Sequence, residues 1–332
     1  MLFRSEYLTS EFYDVLAQLR KRWSSHGSMV SDDELESCVA EWRRRGIEIF
    51  DRNRDHHMQG HNVECGMRSL GHGVAPVAGV KRLHLLGGST VYNEECPDEL
   101  TLAALLNKEL NDGMTPSSTR VLNRGVKGAR ISERIGFLLQ HQMIEPGDIV
   151  VCYFGANDSG WITPTGLDWQ SQLALPWRLC RRICQIAHLE ILSWIYEEKL
   201  ERAMVRAISN SCAATYGRFS ELREHLSRVG ARGLFALQPT AFVSSSDRSD
   251  VQTAIVGTPA RFREFIRRSY GQYRKLCSEE LDFLDLSEVL DETETNVYLD
   301  WAHLNATGNR IVAQSIAALL KRDLSTLPNA NL

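Results

Sequence analysis

Asp300 and His303 stand three residues apart near the end of the sequence. A carboxylate that orients an imidazole is the base half of a nucleophilic triad. This spacing lets the carboxylate reach Nδ1 of the ring and leaves the other ring nitrogen free to accept a proton from a hydroxyl. The structural alternative is that Asp300 begins a turn and His303 packs. The chemical interpretation needs a hydroxyl and oxyanion donors elsewhere in the chain.

A candidate hydroxyl group is that of Ser89, which follows Gly87 and Gly88 at the end of an apolar run. Glycines allow a tight turn that exposes the hydroxyl and leaves the neighbouring amide free. A serine between a strand and a helix is also a common helix N-cap, so this motif alone leaves both interpretations open.

Two further motifs contain candidate donors to an oxyanion. Gly125 and Gly128 follow a second apolar run, and Asn157 and Asp158 follow a third. A backbone N–H at Gly128 and the side-chain amide of Asn157 are both suited to stabilise developing negative charge. The alternatives are a tight strand-to-helix turn and an ordinary polar turn. An isolated Gly-x-x-Gly does not make a nucleotide-binding fingerprint.

The elements that would position these residues are strands alternating with helices, which predicts a doubly wound α/β sheet. Strands are predicted over residues 82–86, 121–123, 149–154, 234–237 and 283–286. Helices are predicted over residues 98–110, 131–140, 259–280 and 310–320, with a largely helical stretch over 168–229. In such sheets, sites form at the carboxyl ends of the strands, where all four motifs fall.

The composition is that of an ordinary globular protein, with 332 residues, 43% hydrophobic and 24% charged. A net charge of −4 argues against a nucleic-acid partner. No window is long and apolar enough for a membrane span, and the N-terminus lacks the apolar segment of a signal peptide. The eight cysteines are dispersed, so we expect reduced thiols and a cytoplasmic location.

Two groups of metal-ligating residue types are candidate metal sites. The first group lies on one helical face and consists of Cys180, Cys184 and His188. The second group is a histidine cluster of His56, His57 and His61. A structural zinc site needs a fourth ligand, and neither group has an evident complete set. We therefore predict no metal and no cofactor.

Together the four motifs resemble those of the SGNH hydrolase superfamily, the GDSL-type esterases and lipases, over about residues 81–320. The resemblance implies a flavodoxin-like three-layer α/β/α sandwich with a central parallel sheet. It also implies Ser89 as nucleophile, Asp300 and His303 as its partners, and an oxyanion hole formed by Ser89, Gly128 and Asn157.

One position departs from the family pattern. The common first block has Asp before the serine, whereas this chain has Gly88, as in the Gly-Gly-Ser-Thr blocks of bacterial members. The departure weakens substrate inference from well-studied lipases more than it affects the serine.

The predicted organisation is an N-terminal helical extension over residues 1–80, packed on an α/β/α domain over residues 81–325. A helical insertion at about residues 160–215 either caps the site and lines an acyl pocket, or packs on the sheet or on the N-terminal helices. A role at a membrane surface is a third alternative for this segment. Trp161, Thr90 and Trp301 are predicted to contact the substrate, with Trp161 favoured for its position four residues after Asn157.

The expected function is that of a serine esterase acting on an O-acyl ester, for instance an acetyl ester, of a carbohydrate or another small polar molecule. Two alternatives stay open: an O-acyltransferase with the same triad, and a catalytically silent binding protein with this fold. The sequence leaves the oligomeric state undetermined.

Overall fold

The computed structural model describes residues 63–64, 67–68, 80–112, 119–159, 190–256, 258 and 260–325. Within these residues seven strands form one sheet. The strands are β1 (Val63–Glu64), β2 (Met67–Arg68), β3 (Lys81–Gly87), β4 (Thr119–Gly125), β5 (Ile149–Phe154), β6 (Arg232–Leu237) and β7 (Phe283–Asp285).

The strand order is β1-β2-β4-β3-β5-β6-β7. The five strands from β3 onward are parallel to one another, and β1 and β2 add an antiparallel edge beside β4. Counted along the chain, the parallel strands have the order 2-1-3-4-5, which is that of flavodoxin-like folds. The predicted fold class, a three-layer α/β/α sandwich around a parallel sheet, is therefore confirmed.

The central strand β5 shows why the sequence adopts a buried parallel sheet. All six of its residues are buried, and all are apolar or aromatic or, at Cys152, a small thiol. Alternate side chains enter different cores: Val151 and Tyr153 belong to one, and Val150, Cys152 and Phe154 to the other. A strand with no solvated face has a continuous apolar sequence, and this pattern made β5 easy to predict.

Helices cover both faces of the sheet. They are α1 (Ser89–Tyr92), α2 (Leu102–Asn111), α3 (Ile131–Gln140), α4 (Glu190–Val229), α5 (Ser249–Val256), α6 (Ala260–Cys277) and α7 (Ala306–Ser325). Buried residues of α2, α5 and α7 join the core that contains Val151. Those of α3, α4 and α6 join the core that contains Val150. The sheet is thus the middle layer of three.

Helix boundaries follow local capping chemistry. The Thr101 hydroxyl accepts a hydrogen bond from the Ala104 amide at 3.2 Å, so α2 begins at Leu102, after a 3₁₀ turn over Asp98–Leu100. The Asn305 side chain accepts from the amides of Thr307 and Gly308, so α7 begins earlier than predicted. Asn305 acts as a typical N-cap.

Several predictions lie outside the described residues. These are residues 1–62 of the predicted N-terminal extension, Trp161, and both candidate groups of metal ligands. Of the predicted insertion, residues 190–215 belong to the long helix α4. The described parts of the predicted N-terminal extension include β1 and β2, which the sequence did not suggest. The division into an extension and a core domain stays a prediction.

A buried polar network joins β3, β4 and the residue that precedes β5. The fully buried His84 accepts a hydrogen bond at Nδ1 from Nε of Arg124, at 2.8 Å. Its Nε2 therefore carries the proton and donates to Asp148, at 3.2 Å. Asp148 also accepts two hydrogen bonds from Arg82. Burial, followed by the charge of Arg124, lowers the pKa of His84 to about 4, so the ring is neutral at pH 7.

No helix among the described residues is long and apolar enough to cross a membrane. In the same part of the chain, Cys96, Cys152, Cys212 and Cys277 are buried and not disulfide-bonded. Nor do the described segments contain a group of three or more His, Cys, Asp or Glu side chains arranged to hold a metal ion.

Candidate active site

The four motifs converge at the carboxyl edge of the sheet. Ser89 begins α1 directly after β3, Gly128 follows β4, and Asn157 follows β5. The segment that contains Asp300 and His303 follows β7 and precedes α7. Because β3 lies between β4 and β5, Ser89 is at the point where the chain connections diverge to opposite faces of the sheet. Open α/β sheets form a crevice there.

Ser89, His303 and Asp300 form a continuous hydrogen-bonded chain. Nε2 of His303 lies 2.8 Å from Oγ of Ser89, and Nδ1 lies 2.7 Å from Oδ2 of Asp300. Both distances are within the range for a nucleophile and its base. If Asp300 is ionised, Nδ1 carries a proton and Nε2 is the acceptor for the serine proton.

The two interpretations of Asp300 prove compatible because each uses a different carboxylate oxygen. Oδ1 accepts from the amides of Ala302 and His303, at 2.8 and 2.9 Å, and so forms the turn. Oδ2 orients the imidazole. Burial opposes ionisation, but the hydrogen bond from His303 and the two amides outweigh it, and the pKa of Asp300 is held well below its usual range.

The loop that carries the pair is fastened to the end of β6. The carbonyl oxygen of Trp301 accepts from the Thr240 hydroxyl at 2.7 Å and from the Ala241 amide at 3.0 Å. The indole of Trp301 stacks on Phe242, with ring centroids 5.3 Å apart, and meets Phe262 edge-on. The position of His303 is therefore set by backbone bonds and aromatic packing together.

One candidate oxyanion donor lies against the residue that precedes Ser89. A methyl group on Gly88 would lie 2.4 Å from Nδ2 of Asn157 and 3.0 Å from the carbonyl oxygen of Ala129. Asn157 Nδ2 donates to that same carbonyl at 3.1 Å, which fixes the amide and leaves its second hydrogen for another acceptor. The structure thus brings Asn157 against the turn that presents Ser89.

Gly128 has a backbone conformation that suits glycine. Its φ is +67°, and nothing lies within 4 Å of where a side chain would begin. Among the described residues its N–H has no hydrogen-bond partner. The next residue, Ala129, lies against Gly88. An exposed free amide beside the serine turn is what an oxyanion donor requires.

Asp158 holds the loop after β5 in place. Its carboxylate accepts from the amides of Ile131, at 2.6 Å, and Gly155, at 2.9 Å. Its carbonyl oxygen accepts from the hydroxyls of Ser211 and Tyr273. Burial raises the pKa of Asp158 to about 6, against the opposing effect of the two amides. Asp158 therefore connects the Asn157 loop to α3, α4 and α6.

Two of the three residues predicted to contact the substrate have packing partners in the structure. Thr90 is buried, and its hydroxyl donates to Oε1 of Gln238 at 3.0 Å. Trp301 is partly exposed and packs in the aromatic group described above. Trp161 lies outside the described residues. Contact of these three residues with a substrate stays a prediction.

Two residues near the site were missed by sequence reasoning. Gln238, which follows β6, fixes Thr90 beside the serine. Glu95 is 2% exposed, and its Oε1 lies 3.5 Å from Nε2 of His303. Neither belongs to a recognisable motif. The available signal was position alone: Gln238 follows a strand, and Glu95 lies six residues after Ser89.

Comparison with known proteins finds relatives only at the level of structure. No protein-family model matches the chain, and no curated protein matches it in sequence. The chain is similar to an acetyl xylan esterase, AlAXEase, with 16% identity and a TM-score of 0.44 over 71% of this chain and 98% of that one.

Two other similar structures come from identified organisms. One is a member of the lipolytic protein G-D-S-L family from Veillonella parvula, with 13% identity and a TM-score of 0.41 over 73% of this chain and 100% of that one. The other is Est24, a carbohydrate acetylesterase from Sinorhizobium meliloti, with 14% identity and a TM-score of 0.41 over 73% and 99%.

Proposed function

We propose that this chain is a serine hydrolase that cleaves O-acyl esters, with Ser89 as nucleophile, His303 as general base and Asp300 as the carboxylate that orients it. The observation that carries the proposal is the continuous pair of hydrogen bonds, 2.8 and 2.7 Å long, from Ser89 through His303 to Asp300. A hydroxyl paired with an oriented imidazole is the arrangement that nucleophilic acyl transfer requires.

In the first half-reaction, Oγ of Ser89 attacks the ester carbonyl carbon while Nε2 of His303 accepts the hydroxyl proton. The tetrahedral intermediate then collapses: the bond to the leaving oxygen breaks, and the imidazolium gives its proton to the leaving alcohol. Asp300 remains ionised throughout and holds the imidazolium by Nδ1–H. The product is an acyl ester on Ser89.

In the second half-reaction, water attacks the acyl-enzyme. His303 accepts a proton from the water and returns it to Oγ as the acyl bond to Ser89 breaks, which releases a carboxylic acid. In both halves the carbonyl oxygen becomes negative, and the proposed donors to it are the amides of Ser89 and Gly128 and the side chain of Asn157. Loss of one such donor typically lowers the rate by about 100- to 1,000-fold.

The proposed substrate is an O-acyl ester, for instance an acetyl ester, of a carbohydrate or another small polar molecule. This narrower assignment follows the sequence resemblance to bacterial Gly-Gly-Ser-Thr hydrolases. The acyl-enzyme half is shared with an acyltransferase, in which an acceptor alcohol replaces water. Product analysis with and without acceptor alcohols separates hydrolysis from transfer.

The test of the function is turnover of a substrate panel by wild type and Ser89→Ala. The panel contains a short p-nitrophenyl ester and several O-acetylated sugars. We expect hydrolysis by wild type and none by Ser89→Ala, with an unchanged thermal unfolding midpoint because Ser89 is partly exposed. A fluorophosphonate probe should label wild type at Ser89 by mass spectrometry. A wild-type protein that neither reacts with the probe nor turns over any ester would instead support the silent binding protein.

A further inference from the structure

A second carboxylate lies beside the reacting nitrogen of the imidazole. Oε1 of Glu95 is 3.5 Å from Nε2 of His303, the same nitrogen that contacts Oγ of Ser89 at 2.8 Å. Glu95 is buried, with 2% of its surface exposed. His303 therefore faces Asp300 from its own loop and Glu95 from the turn that follows α1.

The turn that carries Glu95 is fixed at both ends. Asn93 has a left-handed backbone, with φ of 51°, and its side-chain oxygen accepts from the Leu102 amide at 2.8 Å. On the other side of Glu95, Sγ of Cys96 lies 3.9 Å from the carbonyl oxygen of Leu304 and accepts from Asn309 at 3.4 Å. The turn thus contacts the chain immediately after His303, so the separation of the two side chains is set by the fold.

The distances define what Glu95 can do. At 3.5 Å from Nε2 its oxygen lies beyond the length of a strong charge-assisted hydrogen bond, whereas Ser89 lies within hydrogen-bonding distance. Glu95 therefore does not displace Ser89 as the partner of Nε2. A buried negative charge at this distance nevertheless favours the protonated ring, because the attraction is weakly screened away from water.

We propose that Glu95 is a positioning residue that acts through His303, stabilising the imidazolium that forms when the ring takes the proton of Ser89. It complements Asp300, which holds the opposite nitrogen. The catalytic part of this inference rests on the proposed esterase function. The electrostatic part concerns only the protonation of His303 and can be measured without turnover.

The direct test is an NMR titration of the His303 imidazole in wild type and Glu95→Gln. Glutamine has nearly the same shape as glutamate but no charge. The His303 signal is assigned among those of the ten histidines by its loss in His303→Gln. The midpoint should move to lower pH by about one unit, as expected for loss of an opposite charge a few ångströms away. Glu99→Gln is the matched control, because Glu99 lies four residues further along on the exposed surface and should leave the midpoint unchanged.

A conservative variant separates charge from shape. Glu95→Asp keeps the carboxylate in the same turn, so its midpoint should lie closer to that of wild type than to that of Glu95→Gln. If Glu95→Gln does not fold, Glu95→Ala replaces it as the uncharged variant, and a midpoint displaced to lower pH relative to Glu99→Gln supports the proposal. An uncharged Glu95 variant with the same midpoint as Glu99→Gln would overturn it.

The kinetic arm uses hydrolysis of p-nitrophenyl acetate. Glu95→Gln should lower kcat by roughly tenfold with little change in KM, since the interaction strengthens only when the ring is protonated in the transition state. The acid limb of the kcat/KM profile should move to lower pH. If wild type hydrolyses no ester, the proposed function fails, and the titration still decides the role of Glu95.

Discussion

The residue before Ser89 is constrained by the side chain it faces. Gly88 leaves room for Nδ2 of Asn157, which would lie 2.4 Å from any β-carbon at that position. The aspartate of the common family block would therefore collide with the amide as it is placed in this chain. The Gly-Gly-Ser-Thr block and the position of Asn157 are two parts of one local arrangement.

Gly88→Ala should displace Asn157 and lower kcat for ester hydrolysis by about 100-fold, the typical effect of losing one oxyanion donor. The carbonyl of Ala129, 3.0 Å from the added methyl, cannot rotate away as a side chain could. The check is steady-state kinetics on a p-nitrophenyl ester. Gly136→Ala is the control, because this glycine lies in α3 with nothing within 4 Å of the added carbon. Equal kcat values in the two variants would contradict the role given to Asn157.

Among the elements, the short 3₁₀ turn over Asn157–Ser159 has a large effect on assembly for its size. Through Asp158 it binds the first residue of α3 and one residue each of α4 and α6. The loop that carries a candidate oxyanion donor is therefore held by three helices on one face of the sheet.

Asp158→Asn should destabilise the fold by about 1–3 kcal/mol, because an amide nitrogen would face one of the two backbone N–H donors and leave it unsatisfied in a buried place. Urea unfolding gives the free energy. Ser211→Ala is the matched comparison; it removes one hydrogen bond to the same residue and should cost about 0.5–1.5 kcal/mol. A loss in Asp158→Asn no larger than in Ser211→Ala would refute the argument.

How well an element could be predicted depended on whether its cause was local. β5 and α3 follow from an apolar run and from helical periodicity, and their predicted bounds match the structure. α5 was missed because it depends on distant chain: the Asp250 side chain accepts from the amides of Val297 and Tyr298. Short strands such as β1 have too few residues for any period to be visible.

The same distinction applies to the site. Ser89, Asp300 and His303 stand in short motifs whose spacing suggests chemistry, and the structure brings them into contact. Glu95 stands in no motif, and its place beside His303 results from the packing of two turns that are far apart in the sequence. No local pattern could have indicated that contact.

For the whole molecule, the neutral buried His84 makes stability depend on pH. Its pKa of about 4 in the folded protein lies below its ordinary value of 6.5, so the unfolded chain takes up the proton first. The contribution of neutral His84 to the free energy of unfolding is complete above about pH 6.5 and is lost as the pH falls toward 4. The difference of 2.5 pKa units between the unfolded and folded states corresponds to a stability difference on the order of 3 kcal/mol.

His84→Gln should flatten this dependence. The free energy of unfolding in urea, measured from pH 7.5 to 4, should fall less steeply than in wild type, even if the variant is less stable at pH 7.5. Asp158 titrates in the same window with the opposite sign, since its raised pKa favours the folded state at lower pH. It is present in both proteins, so the difference between the two slopes isolates His84.

His141→Gln makes the same substitution at an exposed position at the end of α3 and should keep the wild-type slope. Parallel curves for wild type and His84→Gln would show that His84 is not the source of the dependence.

The hydrogen bond from the Ser89 hydroxyl to His303 joins residues 214 positions apart. During synthesis at roughly 5–20 residues per second, Ser89 is added to the chain roughly 10–40 s before His303. A nascent chain that has already formed β3, β4 and β5 contains Ser89 and Asn157 but lacks His303, the proposed base. Under the proposed function, reactivity at Ser89 should therefore report that the last strand and α7 have docked.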